Sequence, residues 1–575
     1  MKILISELDE LDKKIKDHFP RKIVRKSYAI SIPELRRFPN YVSEFLINKY
    51  SEDDGTLRED ALNEIINIMK KKAPEKKQKE ALKSMAIELG AVEIIDHFQV
   101  YADLRRGKYY TRVSILDENA VVNRDLISPL KYQSLLKGGL WGKAKFLHIG
   151  QGESASLNMN EFESYQAEGV VLSRYINNRK NFSTNEWIDF LIRSNGLNPD
   201  KLIHKEKLLY LARLIPLVEA CTNSLELGPP GTGKSFVFEN ASEYCRMLLS
   251  GEVSLPNLIY NKNTKQIGLV FKKDVLCFDE INKDNSKLNK LIPKLQQIMA
   301  SNRVERGELE AMTDVSLVFQ GNIDFTLKDG KRVPKEPNYL KILAKDMYDA
   351  AFLDRIHIFI NGWEIPRINN EHINHKLGLI SNYFSELLHK LRKEDCSYLI
   401  ETNIEFFKLD LENKKRPISI RDKIALIHII SGFIKLIYPN KEISNEEWKQ
   451  LADLAIILRQ NVINEIIKID PTLYRKIGYE IRHKKDEGAI SETIPEKIEE
   501  ELEDKGVLST LEEYQTELNL IKINKKNYIT DKIPFWLLTS LVDKNNIKIQ
   551  ENFYKLINLN DDLVQVSHLE TDPIK

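Results

Sequence analysis

Apolar residues recur every three or four positions at the start of the chain, at Leu8, Leu11, Ile15 and Phe19, which predicts a helix. Two later segments, Val92–Leu104 and Tyr109–Leu116, are rich in β-branched and aromatic residues. They flank Arg105-Arg106-Gly107-Lys108, the signature of a hairpin with a basic tip. A helical stripe returns over Thr184–Arg193 (Trp187, Ile188, Leu191, Ile192), closed by the turn signal Gly196-Leu197-Asn198-Pro199. A further apolar helix is expected from Leu202 to Val218. Short apolar runs at Ser224–Leu227, Asp274–Phe278 and Val315–Phe319 read as buried strands. Between them lie helical patterns at Phe236–Tyr244 and Leu288–Met299 and a charged hairpin at Arg303–Glu310. From about residue 368 to 470 the pattern is mostly helical, and Pro439 stops the run Ile424–Tyr438. Glu487–Lys505 reads as an acidic helix, and Gly506–Lys575 as short mixed pieces.

Strands alternating with helices predict an α/β fold around a parallel sheet. The expected domains are an α+β unit (1–180), an α/β nucleotide-binding core (181–367), a helical lid (368–485) and a small C-terminal domain (486–575). The polar stretch Tyr175–Asn181 is the expected first linker. Composition agrees with a globular chain: of 575 residues, 42% are hydrophobic and 30% charged, which excludes disordered and collagen-like classes. The 86 basic and 85 acidic residues nearly cancel, so any nucleic-acid site must come from local segregation of charge. Basic clusters occur at Arg21, Lys22, Arg25, Lys26, Arg36 and Arg37, at Lys70–Lys72, Lys76, Lys77 and Lys79, and at Arg105, Arg106 and Lys108. The hairpin tip is the one shaped to contact a phosphate backbone; an isolated lysine run is more commonly a solvated surface. Four scattered cysteines without a C-x-x-C pair argue against zinc ribbons and disulfides and fit a reducing compartment. Met1–Phe19 is too charged for a secretory signal and no apolar run spans a bilayer, so a cytoplasmic protein with no membrane partner is expected.

The chemistry centres on Gly228-Pro229-Pro230-Gly231-Thr232-Gly233-Lys234-Ser235, a match to G-x-x-x-x-G-K-[ST] between a strand and a helix. Backbone N–H groups of such a loop converge on phosphate oxygens, and the helix N-terminus adds partial positive charge. Lys234 is expected to reach the β- and γ-phosphates of ATP and Ser235 to hold Mg²⁺. The run ending in Asp279-Glu280 is a Walker B pattern: Asp279 supports the Mg²⁺ sphere and Glu280 polarises the attacking water. Asn322, at the tip of the third strand, is placed to bond the γ-phosphate and that water. Asp354-Arg355 precedes an apolar segment, where an arginine can reach a neighbouring subunit's nucleotide. Ser419 and Asp422 resemble a capping box, which puts Arg421 in a first helical turn. A cation there opposes the helix dipole and points to an anionic ligand, so Arg421 is the candidate lid arginine for the γ-phosphate. His372 and His375 lack a third ligand at useful spacing and read as surface.

Walker A, Walker B, a strand ending in Asn, an Asp-Arg pair and a lid arginine, in this order, resemble the AAA+ superfamily. Leu225–Ser235, Gln266–Val270, Phe278–Glu280, Leu317–Ile323, Phe352–His357 and above all Gly362-Trp363-Glu364-Ile365-Pro366 narrow the resemblance to the Lon-related BrxL proteins of BREX phage-defence systems. Leu11–Phe19, Val24–Lys26 and Ser431–Pro439 extend it, to roughly residues 8–485. The resemblance implies an ATP- and Mg²⁺-dependent ATPase in hexameric rings, single or double, with a motor core similar to MCM helicases. It also implies double-stranded DNA threaded or encircled by the ring, and other defence-system proteins as partners. Arg303 and Arg306 fall where such motors carry a channel hairpin and join Arg105, Arg106 and Lys108 as candidate DNA contacts. Lon proteases use a Ser–Lys dyad. None is recognisable in residues 486–575, and Gly152-Glu153-Ser154 and Ser419–Lys423 lie in other domains, so proteolysis is not expected. A Lon-type protein-remodelling or proteolytic machine is the alternative. It has thin support, since Tyr260 is the lone aromatic before Phe271 in the region of a substrate-gripping pore loop. A slowly turning nucleotide-gated scaffold is a third reading.

Overall fold

A computed structural model describes residues 8–36, 38–52, 55–72, 78–127, 135–136, 138–150, 156–165, 170–249, 253–281, 286–328, 330–409, 415–470, 478–483, 489–492, 533–534, 547–549, 552–560 and 563–568. Arg37, Lys76, Lys77, the Gly152–Ser154 stretch and most of 486–575 lie outside the described residues.

The centre of the fold is a five-stranded sheet: β1 (Ser224–Gly228), β2 (Cys245–Leu249), β3 (Val275–Asp279), β4 (Ser316–Asn322) and β5 (Ile358–Asn361). Its spatial order is β5-β1-β4-β3-β2, with every pairing parallel. The expected strands become β1, β3 and β4. β2 and β5 were not read as strands, because Tyr244-Cys245-Arg246 carries no alternation and β5 is only four residues long. The helix expected over Phe236–Tyr244 is Lys234–Asn240, since the chain must turn at Ser242 to enter β2. The helix expected over Leu202–Val218 is two, His204–Ala212 and Ile215–Val218. Pro216 lacks the N–H needed to continue the first and sits in the opening turn of the second.

The N-terminal unit differs from the expected single block. Residues from Leu82 to Phe162 form their own core under a six-stranded sheet that contains the hairpin Val100–Asp103/Lys108–Val113. Residues from Leu11 to Met69 belong instead to the large core of the nucleotide-binding unit, so no boundary falls at 180. The reason is the apolar stripe itself: Phe19 packs on Phe190 and Trp187, at ring-centroid distances of 5.1 and 6.3 Å. Strand Ile23–Arg25 pairs antiparallel with Leu377–Leu379. The buried Arg193 guanidinium joins Asp9 at 2.7 Å and Asp12 at 3.2 Å, and buried Lys26 donates to Glu44 at 2.8 Å. Arg25 and Lys26 are therefore core residues, not part of a basic surface.

The lid region is helical at Ser381–Leu391, Ser397–Asn403, Ile420–Ile437 and Asn445–Ile469. It also carries an antiparallel sheet in the order Lys415–Pro417, Ile404–Leu409, Gly478–His483, Ala489–Glu492. Ile404-Glu405-Phe406-Phe407 has strand character, but its partner lies far downstream and leaves no local signal. The same sheet makes Ala489–Glu492 a strand inside the segment expected to be an acidic helix. Strands at Ile533–Pro534, Ile547–Ile549, Asn552–Asn560 and Leu563–His568 form a separate antiparallel sheet. Among the described residues no helix is long and apolar enough to cross a membrane.

Candidate nucleotide site

β1, β3 and β4 end together, and their last residues meet the loop Gly228–Gly233. Gly231 (φ 87°) and Gly233 (φ 75°) take left-handed conformations that side-chain-bearing residues resist, which lets the loop curl before the helix Lys234–Asn240. Lys234 is buried and its Nζ donates to Gly228 O (2.9 Å), Pro229 O (2.8 Å) and Asn322 Oδ1 (3.1 Å). Burial pulls its ammonium below the ordinary lysine range, partly offset by Glu226. The Ser235 hydroxyl donates to Asp279 Oδ2 at 2.7 Å. A hydroxyl and a carboxylate so close are a hard-oxygen pair of the kind that holds Mg²⁺. Glu280 is exposed with φ 54°, a sparsely populated conformation for a non-glycine residue, fixed by its N–H donating to Asp279 Oδ1 at 2.9 Å. Lys234, Ser235, Asp279, Glu280 and Asn322 therefore share one sheet edge.

Arg355 and Arg421 do not join them. Arg355 precedes β5 beside the start of β1, where Asn223 Nδ2 donates to Arg355 O at 3.2 Å and His357 N–H to Asn223 O at 2.9 Å. That edge lies a strand length, roughly 15 Å, from the loop. Arg421 stands at the same far edge, its guanidinium paired with the Asp354 carboxylate. Helix Ile420–Ile437 thus delivers Arg421 beside Arg355 and not to the phosphate loop of its own chain. Ser419 Oγ accepts from the Asp422 N–H at 3.1 Å and lies 2.6 Å from Asp422 Oδ2, while Asp422 Oδ1 accepts from Arg459, so the reciprocal half of a capping box is not made. Asp354 is occupied by Arg421 and Arg459, so Arg355 is not held in an ion pair with its neighbour.

Sequence reading missed the supports of the loop. Arg213, fully buried, donates to both Glu226 oxygens (2.9 and 2.6 Å) and to Thr232 O (3.0 Å), bracing the loop from beneath. The signal was present: a glutamate inside the apolar run Leu225-Glu226-Leu227 requires a buried partner. Gly362 lies so close to Gly228 that a Cβ on either would strike the other's backbone, at 3.1 and 2.6 Å. The chain after β5 then crosses the loop, Ile368 N–H donating to Gly231 O at 2.8 Å. Beside it is a cleft of about 340 Å³ lined by Pro229, Pro230, Asp324, Phe325, Lys335 and Arg367.

The candidate DNA residues occupy two places. Arg105 and Arg106 sit on the exposed hairpin turn, their N–H groups capped by Asp103 Oδ1, with Arg106 over the Tyr110 ring at 5.9 Å and Lys108 opening the next strand. Arg303 is exposed and Arg306 half-buried on the hairpin Arg303–Arg306/Leu309–Met312. The Lys262 stem, from the hairpin Tyr260–Ile267, lies against Gly307 at its turn and adds a cation that sequence reading did not single out. Among the described residues no group of three or more His, Cys, Asp or Glu side chains is placed to hold a metal ion.

Comparison with known proteins gives the family. The ATPase domain described as Lon-like protease BrxL-like matches residues 157–480, and the N-terminal domain of the BREX system Lon protease-like protein BrxL matches residues 17–148. Lon-like protease BrxL of Bacillus cereus (strain H3081.97) is 33% identical over 471 residues, which are 80% of this chain and 67% of that protein. Its counterpart in Escherichia coli O9:H4 (strain HS) is 31% identical over 81% of this chain and 66% of its own length. The chain thus spans about two thirds of these relatives. A full-length MCM homologue from Methanopyrus kandleri overlaps 65% of this chain and 78% of its own at 11% identity, with a TM-score of 0.37, too low to carry an argument. The family's ATPase domain covers more than half of the sequence, and the chain belongs to the BrxL family.

Proposed function

We propose that this protein hydrolyses ATP in rings of its own copies and works on double-stranded DNA within a BREX-type defence system. The observation that carries the reading is the split site: phosphate-binding residues on one sheet edge, and two arginines, Arg355 and Arg421, on the opposite edge of the same chain. Neither arginine reaches its own loop across a strand length, whereas a neighbouring copy presenting its far edge would bring both to the nucleotide. Lys234 and the loop N–H groups bind the phosphates, Ser235 and Asp279 hold the metal, Glu280 accepts the proton of the attacking water, and Asn322 orients it. Mg²⁺ held by Ser235 and Asp279 would neutralise phosphate charge during the transfer. Arg355 and Arg421 stabilise the transferring phosphoryl group from the next subunit.

The basic hairpins support DNA as the substrate of the motor, since overall charge supplies no attraction. Neutralising Arg105, Arg106, Lys108, Arg303 and Arg306 together is expected to weaken duplex binding at moderate salt and flatten its salt dependence by several counterions. Unchanged affinity and slope, by fluorescence anisotropy across a salt series, would remove these hairpins from the DNA site. The relatives' names say protease, but the regions matched are their ATPase and N-terminal domains, so no proteolytic step is proposed.

A further inference from the structure

The segment that presents Arg355 is short, and its neighbours Phe352, Leu353, Asp354 and Ile356 are buried. Its helix, Ala350–Leu353, is a single turn. Arg355 donates to Ala351 O, and its Nε is buried with no hydrogen-bond partner. The backbone on both sides is gripped by a residue of another element, Arg459 in the middle of helix Asn445–Ile469, which has no solvent exposure. Arg459 Nη1 donates to Ile356 O at 2.6 Å, and Nη2 to Asp354 Oδ1 at 3.1 Å. The Asp354 carbonyl lies at 3.5 Å from both nitrogens. The remaining face of the fork, Nε and Nη2, bonds Asp422 Oδ1 at 3.0 and 2.7 Å. Asp422 follows Arg421 directly, and Asp354 pairs with Arg421. One buried guanidinium therefore ties together the residues flanking Arg355 and those flanking Arg421. Burial, the largest influence, would raise the Asp422 carboxyl; the Arg459 charge and the hydrogen bonds from Ser419, Arg459 and Tyr479 together hold it below its ordinary range.

We propose that Arg459 is a positioning residue for hydrolysis: its planar fork fixes the loops of Arg355 and Arg421 so that both reach the neighbouring subunit's nucleotide as one unit. The inference rests on the trans reading above. A stability role alone would be met by any arrangement that neutralises Asp354 and Asp422. The grip on the Asp354 and Ile356 carbonyls specifies where the backbone of residue 355 lies, and misplacement by about 1 Å can cost on the order of 100-fold in rate.

The test uses full-length protein and mixed rings. Arg459→Lys keeps the buried charge but loses the fork. It is expected to bind ATP as wild type does, with kcat lowered at least about tenfold and KM little changed. Arg459→Met combined with Asp422→Asn removes the charge pair and guards against a folding defect in either variant alone. Each is then mixed with Lys234→Ala protein, whose own loop is dead but whose Arg355 loop is intact. Co-assembly is checked by tagged capture. Mixed rings are expected to hydrolyse ATP faster than either parent alone, because the variant's loop meets an intact arginine from its neighbour. Arg355→Ala mixed with Lys234→Ala is the control. If the control recovers and the Arg459 variants do not, the positioning role is overturned. If the control itself fails to recover in co-assembled rings, the trans reading falls first. Wild-type kcat in Arg459→Lys overturns the inference outright.

Discussion

Lys234, Ser235, Asp279 and Asn322 stand together because each ends a strand or begins the helix that follows one, and parallel strands bring those ends to a common edge. These residues were legible in the sequence, since the chemistry of a phosphate loop restricts which residue types can stand at each position. Arg355 was legible only as an arginine after a helical turn, and the partner that holds its loop, Arg459, was not legible at all. Nothing in Leu458-Arg459-Gln460 distinguishes a buried fork from a surface arginine in a long helix; the distinction comes from Asp354 and Asp422 arriving from distant segments. For Arg355→Ala, ATP binding should stay within a few-fold of wild type while hydrolysis falls by about 10³ or more. Steady-state turnover beside fluorescent-nucleotide titration measures both. Loss of binding instead would mean that Arg355 supports the loop of its own chain.

At the scale of elements, the order β5-β1-β4-β3-β2 could be reached only in part. Three strands announced themselves by apolar runs, but β2 and β5 take their identity from parallel neighbours rather than from their own composition. The Gly362–Pro366 segment stood out in the sequence without a physical reason. The structure supplies one: Gly362 is where β5 passes the head of the phosphate loop, and a Cβ there would stand 2.8 Å from Leu227 O. Gly362→Ala should therefore cost about 1–3 kcal/mol and weaken ATP binding together, read from thermal unfolding with and without nucleotide. An unchanged melting temperature and affinity would show that the two chain segments separate freely. A second element carries a pH signature. His97, on strand Ala91–Phe98, packs against Trp141, and burial, reinforced by Lys273 and Arg246, lowers its pKa to about 4 from the ordinary 6.5. The unfolded chain therefore binds the extra proton between those values, so this contribution is present above pH 6.5 and is lost as pH falls toward about 4. The drop in melting temperature from about pH 7 to about pH 5 should be smaller in His97→Gln than in wild type. Equal drops would place the acid sensitivity elsewhere.

The whole molecule is organised differently from a string of beads. Long-range partners such as Arg193 with Asp9 and Asp12, and Ile23–Arg25 with Leu377–Leu379, weld the first seventy or so residues to the nucleotide-binding core. Among the described residues, the six-stranded unit from Leu82 to Phe162 has a core of its own. Composition could not show this, because both parts share one apolar and charged make-up and the joining contacts span hundreds of positions. The basic hairpin at Arg105 and Arg106 is therefore carried by the six-stranded unit, while the N-terminal helices pack into the ATPase core. The fold also makes the catalytic unit asymmetric, with a binding edge and an arginine edge on opposite sides. On the proposed reading assembly is part of the active site, and the account stands or falls on that dependence. The most direct measurement is ATP turnover per subunit across a wide range of protein concentrations, with the assembled fraction followed by sedimentation in the same samples. The split site predicts that turnover per subunit rises in proportion to the assembled fraction and is nearly absent in the monomer; full turnover by monomeric protein would contradict it.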